Sequence, residues 1–186
     1  EIKENVKAGT LVVSFAAGKK IATIANGLGG KCPVVRVMPN TPTLVGKGAA
    51  GYSLGEGVTQ HQLRFVTDFL NAAGIAVAVK EELQDAVTAT SGSGPAYFFA
   101  FVEAMVKGAV DLGLPEEVAS ELVTQTMIGA AELLANSGKS AKTLRENVTS
   151  PNGTTYAALQ SFVANDLEAM VANAMKAARD RSIELS

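Results

Sequence analysis

Cysteine is almost absent from this chain of 186 residues: Cys32 stands alone. That excludes an internal disulfide and any zinc site built from several thiolates. The plain reading of Cys32 is a reduced, half-buried thiol in a cytoplasmic protein. Tryptophan is missing, aromatic residues make up only 5% of the chain, and the formal net charge is -2. With no basic stripe and few rings to stack on bases, a nucleic-acid partner is not expected. Histidine is equally scarce; His61, between Gln60 and Gln62 on the polar face of an expected helix, is assigned no chemistry, and no metal site is expected. No signal peptide is recognisable, and every long apolar run is interrupted by charge, so a membrane partner is not expected either.

What the chain has in quantity is apolar surface. Hydrophobic residues reach 47% against 18% charged, enough to bury a core in one large domain or two small ones. The sequence is organised around residues 90–115, TSGSGPAYFFAFVEAMVKGAVDLGLP. Ser91 to Gly94 form a turn, Pro95 suits a first helical position where its missing N–H is no loss, and Gly113 with Pro115 stops the helix. Apolar positions from Ala96 to Leu112 cover nearly the whole circumference and leave Glu103 and Lys107 as a charged i,i+4 pair. A helix apolar all round is buried all round. Two burials fit: the core of a monomer, or a helical core shared between subunits in a two-fold dimer.

Before this helix the pattern alternates strand and helix. Residues 1–7 read as the tail of something already under way, so the strand at 10–16 (TLVVSFA) is not expected to be its domain's first. A helix over 20–26 and a second continuous apolar strand at 34–38 follow, giving half of a doubly wound sheet. Ligands of such sheets lie beyond the carboxyl ends of the strands, which directs attention to Phe15–Gly18 and to Met38-Pro39-Asn40-Thr41-Pro42. The two prolines hold the Asn40 amide in an extended turn, which suits either a ligand-orienting group or a rigid turn with no ligand. Gly46, Gly48 and Gly51 spell G-x-G-x-x-G, but Gly51 leads into another strand rather than a helix, so the stretch reads as a flexible loop and not as a dinucleotide fingerprint. A helix over 59–73 should turn Leu63, Val66, Phe69 and Leu70 inward, and 75–79 is the last expected strand. Glu81, Glu82 and Asp85 read as solvated surface at a helix start.

Beyond the central helix the strands cease. A helix over 115–136 should bury Val118, Leu122, Met127, Ala130 and Leu133; a short one capped by Ser140 runs to 147, and helices over 154–164 and 166–183 complete a bundle. Within it, residues 149–155 (TSPNGTT) gather hydroxyls beside a helix start. Free N–H groups there, with Ser150 and Thr155, form a receptor for a carboxylate or phosphate. A well-capped helix after a Ser-Pro turn fits the same residues.

Taken together, SFAAG at 14–18, MPNTP at 38–42, SGSGPAY at 91–97 and NVTSPNGTT at 147–155 resemble pyrroline-5-carboxylate reductase, in order and over the whole chain. The family's opening strand and G-x-G-x-x-G phosphate loop are not among these residues, so the chain resembles the family with its N-terminal segment missing, and the fragment alone is expected to be inactive. The resemblance implies the second half of a Rossmann-like dinucleotide-binding domain over 1–86, then an all-helical substrate-binding and dimerisation domain over 87–186. It also implies hydride transfer from NADPH or NADH to the C=N bond of 1-pyrroline-5-carboxylate, giving L-proline, by a homodimer or higher homo-oligomer. By position, Phe15, Ala16, Ala17, Asn40 and Asn147 would meet the cofactor. Ser150, Gly153, Thr154 and Thr155 would hold the substrate carboxylate, with Thr155 also bonding the ring nitrogen, and Glu81 matches an acidic position near the substrate. Two other readings remain: a β-hydroxyacid dehydrogenase, for which Lys107 is the only lysine on the central helix, and a dimeric assembly module that binds no cofactor.

Overall fold

The computed structural model describes residues 2–185, which divide into two compact units. The first comprises Glu1–Pro95 with Asn173–Ser186, and the second Ala96–Ala172. The division thus falls at Pro95 rather than at 86, and the end of the chain belongs with the sheet. Buried Gln84 bonds Gly51 and Ser53 of the sheet, and half-buried Asp85 accepts a bond from Ser182 of the last helix, which ties both segments to the sheet.

The first unit is built on a four-stranded sheet in the order β1 (Val12–Ser14), β2 (Val34–Met38), β3 (Gly48–Leu54), β4 (Gly74–Ala78). β1 is parallel to β2 and β3 to β4, but β2 and β3 are antiparallel, with Arg36 opposite Ser53 and Met38 opposite Gly51. The reversal has a simple origin. Only a short 3-10 turn, Thr41–Val45, joins β2 to β3, and a parallel crossover needs a dozen residues or more. The G-x-G-x-x-G stretch is therefore not a flexible loop, since Gly48 and Gly51 pair with Gly74 and Val77 inside β3. β1 is also shorter than the apolar run that encodes it.

Strand alternation gives the sheet two different faces. Val35 and Val37 of β2 join Ala50 and Tyr52 of β3 in an apolar core closed by Val66 and Leu70 of α2 (Gln60–Asn71). α2 starts at a capping box, in which Thr59 accepts from the Gln62 N–H and the Gln62 side chain reaches back to the Thr59 N–H. Phe69, expected inside, is 61% exposed. Arg36, Gly51 and Ser53 lie on the other face, which is covered by α1 (Ile21–Gly27), a 3-10 turn (Glu81–Leu83), α3 (Gln84–Val87) and a π turn (Thr88–Gly92). Cys32 is buried rather than half-buried, its thiol 3.6 Å from the Lys7 carbonyl.

The second unit carries α4 (Gly94–Asp111), α5 (Glu116–Asn136), α6 (Ala141–Asn147), α7 (Thr154–Ala164) and the start of α8 (Leu167–Glu184). Ser140 caps α6 by accepting from the Thr143 N–H at 3.1 Å, as its position suggests. The expected burial does not occur within one chain. Phe98, Phe99 and Phe101 are 58%, 63% and 43% exposed, and on α5 Val118, Leu122 and Leu133 are exposed while Ala119 and Val123 are buried. Phe101 does meet Phe162 of α7, ring centroids 6.2 Å apart. A core helix of a monomer would not leave this much aromatic surface in water. Lys107 pairs with Asp111 at 3.0 Å instead of Glu103, since an acid in the last turn opposes the helix dipole and gains most from a cation.

Candidate active site

In the first unit the ends of β1 and β2 open on one cavity of about 740 Å³. Phe15, Met38, Pro39, Asn40, Ala50 and Gly92 are among its lining residues, so the wall is mostly apolar and in part small. Phe15 and Asn40 are thus brought together, whereas Ala16 and Ala17 sit exposed on the adjoining loop. Asn40 is held more firmly than its flanking prolines require: Oδ1 accepts the Ala49 N–H at 2.8 Å and Nδ2 donates to the Ser91 carbonyl at 3.1 Å. Its amide therefore fixes the mouth of the cavity between β3 and the π turn, with one Nδ2 hydrogen left for a ligand.

Of the acidic run, Glu82 is solvated surface as expected, but Glu81 and Asp85 are not. Arg36, 4% exposed, faces Glu81 at 3.5 Å and Asp85 at 3.6 Å. A guanidinium buried in the sheet needs such company, and the acidic run supplies it. Glu81 does a second job, because its Oε1 accepts the Ile21 N–H at 2.6 Å where Lys20 gives α1 no side-chain cap. This carboxylate is placed as a helix cap and counter-charge of the first unit. Gln84, fully buried, donates to the Gly51 carbonyl at 3.3 Å and to Ser53 Oγ at 2.9 Å. Ser182 of α8 donates to Asp85 Oδ1 at 2.7 Å. Sequence reading missed Arg36, Gln84 and Ser182; the available signal was one arginine in the otherwise apolar VVRVM strand.

In the second unit Asn147 ends α6, and Ser150, Gly153, Thr154 and Thr155 follow on the loop and first turn of α7. The loop is closed locally: Thr149 Oγ1 donates to the Arg145 carbonyl at 2.6 Å, and the Gly153 N–H donates to the Ser150 carbonyl at 3.1 Å. Asn152 takes a left-handed φ of 57°, tolerable for asparagine. Gly153 is the N-cap, and a Cβ there would collide with Ser150 Oγ. The cap consequently has no side chain and makes no side-chain hydrogen bond to the start of α7. The first helical N–H to find its carbonyl is that of Ala157, bonded to Gly153 at 3.1 Å. The Thr154, Thr155 and Tyr156 N–H groups precede that bond, at a helix start that Ser150, Thr154 and Thr155 surround in sequence.

A mixed, largely Rossmann-like sheet with a cavity at its strand ends, continued by a helical unit with exposed aromatic faces, is an architecture that two-part, dinucleotide-dependent oxidoreductases use. Comparison with known proteins narrows the class. Residues 81–185 match the family described as pyrroline-5-carboxylate reductase dimerisation. The pyrroline-5-carboxylate reductase of Pseudomonas aeruginosa is 48% identical over 182 residues, covering 97% of this chain and 67% of that protein. Among solved structures, a pyrroline-5-carboxylate reductase from Coxiella burnetii superposes with a TM-score of 0.93 at 37% identity, covering all of this chain and 69% of that one. The pyrroline carboxylate reductase of Plasmodium falciparum with NADP bound gives a TM-score of 0.87 at 36% identity, covering 94% and 70%. This chain belongs to the pyrroline-5-carboxylate reductase family.

Proposed function

We propose that the chain supplies the nicotinamide-side wall and the substrate-carboxylate receptor of an enzyme that reduces 1-pyrroline-5-carboxylate to L-proline, the last step of proline synthesis, as a cytoplasmic homodimer. The observation that carries this reading is the uncapped start of α7, where a glycine stands in the capping position and Ser150, Thr154 and Thr155 lie within three residues of it in the chain. No capping side chain fills this position, because a Cβ at Gly153 would collide with Ser150, so the helix end stays open to a ligand.

The roles follow from the placements. The Thr154 and Thr155 N–H groups with Ser150 Oγ hold the substrate carboxylate, and Gly153 keeps that receptor open. Thr155 Oγ1 bonds the ring nitrogen, while the proton for it comes from solvent. Phe15 and Asn40 shape the cavity that takes the dinucleotide, Ala16 and Ala17 flank it, and Asn147 reaches it from the end of α6. Glu81 acts at a distance by fixing α1. Bound NADPH or NADH supplies the hydride to the C=N carbon. The chain's task is to align the two ligands and exclude water, which lowers the barrier without further chemistry by the protein.

The test joins this chain to the part of the Pseudomonas aeruginosa reductase outside the matched region. Dinucleotide oxidation that depends on 1-pyrroline-5-carboxylate, with stoichiometric L-proline, is expected. Reduction of a 3-oxo acid in its place would favour the β-hydroxyacid dehydrogenase reading, and a dimer that binds no dinucleotide would favour the assembly module.

A further inference from the structure

The loop that follows β1, residues 15–19, is weakly supported by its own bonds. The Ala16 N–H meets Ser14 Oγ at 3.3 Å and the Lys19 N–H meets the Ala16 carbonyl at 3.4 Å, both at the long end of useful hydrogen bonds. Phe15, Ala16 and Ala17 are all exposed. The firm support comes from far along the chain. Lys19 Nζ donates to the Leu185 carbonyl at 2.7 Å. Gly18 is buried with φ of +73°, and a Cβ added to it would stand 2.9 Å from the Ser182 carbonyl and 3.1 Å from Leu185. Ser182 is itself tied to Asp85 at 2.7 Å, Asp85 faces Arg36 of β2, and Glu81 beside Arg36 holds the Ile21 N–H where the loop enters α1.

We propose that Ser182, in the last turn of α8, and Leu185, just beyond it, are positioning residues for dinucleotide binding: they brace the loop 15–19 through Gly18 and Lys19, and Ser182 anchors them to the sheet through Asp85 and Arg36. The inference rests on the reading that Phe15 to Ala17 line the dinucleotide. Its physical content is preorganisation. A loop already held in its binding conformation does not lose that freedom again when the ligand arrives, so removing the brace weakens dinucleotide affinity and leaves the carboxylate receptor of the second unit untouched.

Two measurements test it. Hydrogen exchange on the 186-residue chain reports the brace directly, and Ser182→Ala is expected to speed exchange of the Lys19 and Ile21 amides. In the completed enzyme described above, fluorescence titration with NADPH should show the Kd raised about three- to tenfold by Ser182→Ala, the worth of one hydrogen bond. Gly18→Ala should raise it further, with the KM for 1-pyrroline-5-carboxylate and the dimer mass unchanged. Ala17→Asp, placed on the loop itself, is the control for the underlying reading. If Ala17→Asp weakens NADPH binding and neither brace variant does, the brace is refuted and the loop assignment stands; if none of the three alters NADPH binding, both fall. Equal loss of NADPH and substrate affinity, with a lowered melting temperature, would reduce Ser182 to a stabilising residue and overturn the proposal.

Discussion

Replacing Thr155 by valine keeps the β-branched shape and removes one hydroxyl from the first turn of α7. Thr155 is half-buried, directly follows Thr154, and stands two residues after the glycine N-cap. The cap uses no side chain, so the substitution breaks no capping bond and should leave the melting temperature within a degree or two of the parent, as expected for a change worth a few tenths of a kcal/mol. Its effect falls on the ligand. A hydroxyl bonded to a charged carboxylate or iminium contributes about 1.5 to 3 kcal/mol, whereas the backbone N–H donors are unaffected. The expected loss in kcat/KM is therefore roughly ten- to two-hundredfold. Steady-state kinetics of the completed enzyme, varying each substrate in turn, should confine the loss to the pyrroline-carboxylate terms and leave the dinucleotide KM nearly constant. Thr155→Ala should behave like Thr155→Val, because both lack the oxygen. Parent kinetics in a folded, dimeric Thr155→Val enzyme would show that the first turn of α7 is packing and nothing more.

Other consequences are equally accessible. Arg36→Met leaves Glu81 and Asp85 without their cation, and since both carboxylates retain some solvent the cost should be about 2 to 3 kcal/mol in urea unfolding, below that of a fully buried pair. Phe99→Asp places a charge on a ring that is 63% exposed in the single chain, so sedimentation should show the dimer weakened or lost; an unchanged dimer would remove this face of α4 from the interface. The Asp180 carboxyl is held below its ordinary range first by the hydrogen bond from Arg179 and then by that from Lys176. Its folded pKa being depressed, it favours the folded state above the unfolded-state pKa and loses that preference as pH falls through the folded one. An NMR titration should show the Asp180 midpoint rise in Arg179→Gln.

The elements themselves were largely legible in the chain. β2 was placed to the residue, and Ser140, Pro95 and Gly113 marked helix ends because capping and stop signals are local. The direction of β3 was not, although the short link after Met38 carried the information, since the nine residues 39–47, with a 3-10 turn among them, cannot make a parallel crossover. The polar face of the sheet was hidden for a different reason. Nothing local ties Arg36 to residues 81–85 or to Ser182, and pairings across such separations follow only from the fold. Burial on α4 and α5 misled because apolarity reports that a surface is covered, not that the same chain covers it. At the candidate site, the hydroxyl cluster at 149–155 was visible, but which of these residues begins α7, and so whether a side chain caps it, is set by the fold.

The central claim is that these residues hold an imine and a reduced dinucleotide for direct hydride transfer. It is tested most directly by supplying the completed enzyme with NADPH carrying deuterium at the reactive C4 position and 1-pyrroline-5-carboxylate, then isolating the proline for mass spectrometry. The account predicts L-proline bearing one deuterium at C5, the former imine carbon. Proline without deuterium, or no proline from an enzyme that binds both ligands, would contradict it.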